Sequence, residues 1–152
     1  MPTLITTVED FSPTIFYSGS AGSDWTAGAS STDSSIDKYL DLKTLSYLEL
    51  TKRNRYSDSS YTVTQVANAS VSFTFSGTGV QLYGAERADH GLYQVTIDSH
   101  VYPSVNGNAN GTEQVFQTQI FQTAALDNGL HKVTIVNLGT TKLDLDFVGL
   151  LS

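Results

Sequence analysis

Apolar and polar residues alternate with a period of two through most of the chain, the pattern of strands with one buried and one wet face. Val71, Phe73 and Phe75 point one way while Ser72 and Thr74 point the other, and the alternation resumes at Val80-Gln81-Leu82-Tyr83 after Gly77-Thr78-Gly79. That spacing predicts a hairpin over Val71 to Tyr83. Leu92 to Asp98 alternates again, with Tyr93, Val95 and Ile97 on one side, and Ser99-His100 turns the chain into Val101-Tyr102. Further strands are expected at Val115 to Phe121, Leu130 to Val136 and Leu143 to Leu150, with Asp127-Asn128-Gly129 as the bend between two of them. In the last strand Leu143, Leu145 and Phe147 alternate with Asp144 and Asp146, so strand alternation alone accounts for both aspartates. The N-terminal part carries weaker strand signals at Leu4 to Val8 and Thr14 to Tyr17, then a Ser/Gly/Ala-rich stretch from Ser18 to Ser35.

Ser34 to Arg55 breaks the pattern. Ile36, Leu40, Tyr47 and Leu50 fall near a helical stripe, while Leu40, Leu42, Leu45 and Leu48 also read as strand fragments, so a short helical or irregular piece is expected there. Eight or more strands without βαβ alternation indicate an all-β fold, an antiparallel β-sandwich or jelly roll, formed as one domain over residues 1–152.

Composition narrows the function. The chain has no cysteine, which removes disulfides, thiolate metal sites and cysteine nucleophiles. A formal charge of −7 repels a phosphate backbone, so nucleic acid is not an expected partner. Five of the eight basic residues (Lys38, Lys43, Lys52, Arg53 and Arg55) fall in the irregular stretch. No apolar run approaches the roughly 20 residues a membrane helix needs. The start Met1-Pro2-Thr3-Leu4 lacks a signal-peptide pattern, so a cytoplasmic, leaderless protein is expected, or an extracellular one if the chain is an excised ectodomain. Neither a Gly-x-Ser-x-Gly elbow nor a nucleotide-binding glycine pattern is present, and the expectation is a protein without catalytic activity.

The run Ser70-Val-Ser-Phe-Thr-Phe-Ser-Gly-Thr-Gly-Val-Gln-Leu-Tyr-Gly84, the loop with His90-Gly91, Tyr93 to Asp98, Asn128 to Ile135 and the ending Leu143 to Phe147 together resemble the galactose-binding-like β-sandwich superfamily. The version most resembled is that of mushroom-forming fungi, both as ectodomains and as small lectins. Against that pattern residues 34–55 read as an insertion. The resemblance implies a jelly roll whose loops at one end bind sugars in many relatives, and so a lectin for terminal sugars, fucose- or galactose-containing. Alternatives are a structural or adhesion ectodomain of a fungal membrane protein and an accessory carbohydrate-binding module of an enzyme. Because one shallow sugar site binds weakly, a homodimer or larger oligomer is expected.

A sugar site needs a ring to cover the apolar face of a pyranose and fixed polar groups to match its hydroxyls. Glu86-Arg87-Ala88-Asp89-His90-Gly91, flanked by Tyr83 and Tyr93, offers both. Arg87 presents a planar fork, His90 can donate or accept, and Glu86 and Asp89 accept. The competing reading pairs Arg87 with Asp89 or Glu86 and leaves His90 to cap the turn. Trp25 is either a stacking platform or a plug at the open end of the sandwich. Asn106, in the loop to Asn110, either adds an amide to the site or serves turn chemistry. No metal ligand set is expected, although the superfamily resemblance raises calcium on oxygens of Glu9, Asp10, Asp144 and Asp146.

Overall fold

The computed structural model describes residues 4–18, 24–29, 60–109 and 114–152. The expected irregular insertion at 34–55 lies outside them. The described residues form thirteen strands and no helix. They are β1 (Ile5–Glu9), β2 (Phe16–Tyr17), β3 (Trp25–Ala29), β4 (Ser60–Thr64), β5 (Ser70–Gly77), β6 (Gly79–Glu86), β7 (Leu92–Ile97), β8 (His100–Val101), β9 (Val105–Asn106), β10 (Val115–Thr123), β11 (Gly129–Asn137), β12 (Leu143–Leu145) and β13 (Phe147–Leu151).

The strands pair antiparallel in a β-sandwich, the all-β class that the alternation predicts. One sheet runs β1-β13-β6-β10, and a larger one runs β2-β5-β11-β7-β8 with β9 also on β7. A small third sheet, β12-β4-β3, joins them. The inner faces meet in one apolar core: Val71, Phe73 and Phe75 of β5, Val95 and Ile97 of β7 and Val133 and Ile135 of β11 come from one side. Val80 and Leu82 of β6 and Val148 of β13 come from the other, and Trp25, Leu143 and Leu145 from the third sheet. Leu82 has no solvent exposure, so truncating it to alanine is expected to cost about 2–5 kcal/mol.

Two local expectations are corrected. Gly77-Thr78-Gly79 is not a hairpin turn: β5 pairs with β2 and β11, whereas β6 pairs with β13 and β10. The corner carries the chain from one sheet to the other, pinned by Thr78 N donating to Leu151 O at 2.8 Å and Leu126 N donating to Thr78 O at 3.0 Å. A side chain at Gly77 would run into the Leu151 carbonyl, so the two sheets can approach here only with hydrogen at that position. Likewise Leu143 to Leu150 is two strands in two sheets, broken at Asp146. Asp144 and Asp146 are both buried rather than outward-facing, because β12 is covered on both sides.

Candidate functional site

Three connections converge at one end of the sandwich: Arg87 to Gly91 between β6 and β7, Val105 to Ala109 after β8, and Leu138 to Lys142 between β11 and β12. Backbone hydrogen bonds lace them together. Arg87 N donates to Gly107 O (3.1 Å), Gly107 N to Gly91 O (2.9 Å), Ala109 N to Arg87 O (3.2 Å), and Lys142 N to Asp89 O (2.8 Å). The Asn108 side-chain amide donates to the Ala88 carbonyl at 2.9 Å and to the His90 carbonyl at 3.2 Å. Gly91 lets the Thr141 side chain lie against the backbone, since any Cβ there would overlap it.

The three segments enclose a cleft of about 420 Å³. Its apolar lining is Leu92 and Leu138, 48 % and 40 % exposed, whose backbones are joined by Leu138 N donating to Leu92 O at 3.0 Å. The polar lining residues are Asn106, Asn108, Thr140 and Thr141, with Asn106 Oδ1 accepting from Asn108 N at 3.0 Å in the turn. The one ionisable side chain among the lining residues is His90, which contributes to the wall. Hydrogen-bonding groups of both senses beside a small apolar surface can hold a compact, neutral polyhydroxyl ligand.

An ionic ladder holds the wall. His90 is 2 % exposed; its Nδ1–H donates to Asp89 Oδ1 and its Nε2–H to Asp144 Oδ2, each at 2.9 Å. Because carboxylates only accept, two such bonds require both ring nitrogens protonated. Burial opposes that charge, but the hydrogen bonds and negative charges of Asp144 and Asp89 outweigh it and raise the His90 pKa above its ordinary value. Asp144 Oδ1 accepts from Ala85 N at 2.7 Å, and Lys142 Nζ bonds Asp89 Oδ2 at 2.9 Å. Partial burial opposes ionisation of Asp89, yet Lys142, His90 and Arg87 bring its pKa down to about 2.

Of the residues expected in the site, His90 and Asn106 line the cleft, with Arg87 and Asp89 beside it. Arg87 Nε lies 3.8 Å from Asp89 Oδ1 and its guanidinium sits over the Phe116 ring at 5.5 Å. Pairing within the loop is thus realised, and His90 is a buried strut rather than an exposed donor. Glu86 is half-buried on β6 opposite Val115. Trp25 is 6 % exposed in the core with Tyr17 5.0 Å away, the plugging alternative rather than a platform. Tyr93 is also a core residue: its hydroxyl donates to Ile120 O at 2.6 Å, and burial pushes its pKa above the ordinary phenol value. Tyr83 lies on a sheet's outer face, stacked on Phe147. Asn108 belongs to the Asn106 to Asn110 loop raised for its amides, whereas sequence reasoning missed Leu92, Leu138, Thr140 and Thr141; the Leu138-Gly139-Thr140-Thr141 run is a turn signal between two strands, comparable to the Asn106 loop.

Two of the four carboxylates raised for calcium, Asp10 and Asp144, are held by protein donors. Asp10 Oδ2 accepts from the Thr62 hydroxyl at 2.6 Å and both Asp144 oxygens have protein donors. Among the described residues no group of three or more histidine or carboxylate side chains could hold a metal ion.

No family profile matches the chain. Over 82 residues, 54 % of the chain, it is 37 % identical to an A type blood α-D-galactosamine galactosaminidase of Flavonifractor plautii, but that stretch is 7 % of the relative. Among solved structures it is similar to a family two carbohydrate esterase from Cellvibrio japonicus (TM-score 0.56, 14 % identity), covering 99 % of this chain and 34 % of the esterase. It is also similar to an exo-β-1,3-galactanase from Phanerochaete chrysosporium (TM-score 0.53, 14 % identity), covering 97 % of this chain and 29 % of that one. The chain therefore spans about a third or less of the proteins it matches. These likenesses show the fold, a β-sandwich, and they do not single out the fungal lectin type.

Proposed function

We propose that this chain is a non-catalytic sugar-binding domain whose loop-end cleft takes the terminal residue of a neutral glycan, acting as an accessory module of a larger carbohydrate-active protein. The observation that carries the reading is the cleft itself: about 420 Å³, lined by two leucines, two asparagines and two threonines, on loops braced by a buried ion ladder. The leucines cover the C–H face, and Asn106, Thr140 and Thr141 match hydroxyls, while Asn108, held on the Ala88 and His90 carbonyls, fixes the loop that carries Asn106. Galactose and its 2-amino derivatives are the first sugars to test, since the galactosaminidase and galactanase similarities point to them. Fucose, the other sugar that the resemblance implies, is the next. Each hydrogen bond to a sugar replaces one to water, so a single site is weak, with net gains of roughly 0.5–1.5 kcal/mol per bond.

Protein-observed NMR titration with galactose, N-acetylgalactosamine and fucose tests this. The expected outcome is saturable shifts at residues 90–92, 106–108 and 138–141, with affinity reduced roughly tenfold in Asn106→Ala/Thr140→Ala. Absence of shifts with every sugar would sink the reading. A free-standing, multivalent lectin is the second reading. It is favoured by the exposed apolar groups Phe16, Val101 and Leu130 on strands of the larger sheet, a surface through which two copies could pair. A monomeric mass by light scattering at micromolar concentration would remove it.

A further inference from the structure

We propose a second carbohydrate surface, separate from the loop-end cleft: the outer face of the β1-β13-β6-β10 sheet, taking a stretch of neutral polysaccharide. Register places two rows across this face. The first is Glu9, Phe147, Tyr83 and Gln119, and the next is Thr7, Gly149, Gln81 and Gln122. Tyr83 and Phe147 stack with ring centroids 4.3 Å apart and planes 9° apart, forming a half-buried aromatic ridge in mid-sheet. The Tyr83 hydroxyl donates to Gln81 Oε1 at 3.1 Å, and Gln119 Nε2 donates to Gln122 Oε1 at 3.1 Å, so the amides are already oriented beside the rings. Gln119, Gln122 and Thr7 are exposed. Gly149 leaves a dip between Thr7 and Gln81, where a side chain would crowd the Gln81 amide.

The charge pattern selects the occupant. Among the described residues of these two rows there is no Lys, Arg or His, and the single carboxylate, Glu9, sits on the edge strand. With no cation to meet them, phosphate, sulfate and uronate groups gain nothing here, and the net charge of −7 repels them. Amides that donate and accept beside aromatic rings suit a neutral chain of sugar hydroxyls and C–H faces. Four strands span about 14 Å, and the rows lie about 7 Å apart, so the surface is wide enough for more than one sugar ring. The matching row of the opposite sheet is Phe16, Ser72, Thr134, Thr96 and Val101, three short hydroxyl residues between apolar ends with no amide.

Affinity electrophoresis of the full chain in gels containing arabinogalactan, xyloglucan or laminarin, with polygalacturonate as the acidic counterpart, tests the proposal. At least one neutral polysaccharide is expected to retard the protein and polygalacturonate is not. Tyr83→Ala should abolish the retardation. Gln119→Ala/Gln122→Ala changes only exposed amides and so reports even if the tyrosine variant fails to fold; it should weaken association roughly tenfold. The same gels are run with Asn106→Ala/Thr140→Ala, in which the cleft holds chain-end sugars weakly: retardation that persists there and falls on adding Gln119→Ala/Gln122→Ala belongs to this surface, which separates failure of this surface from failure of the cleft. Lack of retardation by all three neutral polymers, equal retardation by polygalacturonate, or retardation that survives the glutamine changes but is lost with the cleft variant would each overturn it.

Discussion

Two histidines of this protein sit in nearly the same bonding pattern, one inside the fold and one at its surface. At the loop end, His90 donates to the carboxylates of Asp89 and Asp144. At the other site, His131 donates from Nδ1 to Asp98 Oδ2 at 2.8 Å and from Nε2 to the Asp127 carbonyl at 2.7 Å. Both face acceptors on both nitrogens, and both have raised pKa values. What separates them is water. Around His90 and Asp144, each almost wholly buried, a lost partner cannot be replaced by solvent, whereas Asp98 is half exposed and solvent competes for every bond it makes. Equal geometry therefore carries unequal energy, and the buried pair is the one that holds the cleft.

Asp144→Ala is the largest expected perturbation. It leaves a buried imidazolium with one carboxylate instead of two and strips the Ala85 amide of its acceptor. Breaking one side of such a pair costs about 3–5 kcal/mol, to be read as a lower urea midpoint at unchanged slope. The loss should also loosen the Arg87–Gly91 loop and so abolish binding in the cleft. A variant as stable as the parent would show that the ladder is only an onlooker.

Smaller, and distributed over pH, is the titration of the same ladder. The His90 pKa is raised in the fold, so its contribution is fully present below the unfolded value of 6.5 and is lost as pH rises through the folded value. Asp89 is shifted the other way, to about 2 from 3.8, so its contribution is present above 3.8 and lost as pH falls through about 2. Together they place the full strength of the ladder between roughly pH 4 and 6.5. Urea midpoints measured from pH 4 to 10 should decline on the alkaline side, and the decline should flatten in His90→Gln. A parent midpoint that does not fall on the alkaline side would contradict the imidazolium assignment.

The strands around this ladder were legible in the sequence; the ladder was not. Val71 to Phe75, Leu92 to Ile97 and Leu130 to Val136 alternate because each packs one face on the core and wets the other, and there a period of two is a direct readout of burial. Leu143-Asp144-Leu145 shows the same alternation for a different reason. Its leucines enter the core, while the polar face of β12 is covered by β6 and the His90 loop, where the aspartate is satisfied by protein donors. Alternation records which residues are polar, not whether a second layer covers them. The corner at Gly77-Thr78-Gly79 fails in the same way, since glycine turns serve a hairpin and a crossing between sheets equally. For Tyr93 and Trp25 the sequence leaves site and core open because amphipathic rings serve cores and ligands alike, and partners distant in sequence, Ile120 for one and the Tyr17 ring for the other, decide between the two.

The smallest expected effect belongs to the surface pair and completes the comparison. Asp98→Asn removes the carboxylate that raises the His131 pKa while keeping an oxygen able to accept from Lys132 N, as Asp98 Oδ1 does at 2.9 Å. The His131 pKa, followed by NMR through its ring proton shifts, should fall toward the ordinary value. The urea midpoint should stay within error of the parent, because water takes over the contact that the charge made. Asp98 has a left-handed backbone, φ 56°, which asparagine adopts readily, so the substitution adds no strain of its own. A midpoint loss comparable to that of Asp144→Ala would mean that solvent does not screen this pair, and that burial is not what separates the two histidines.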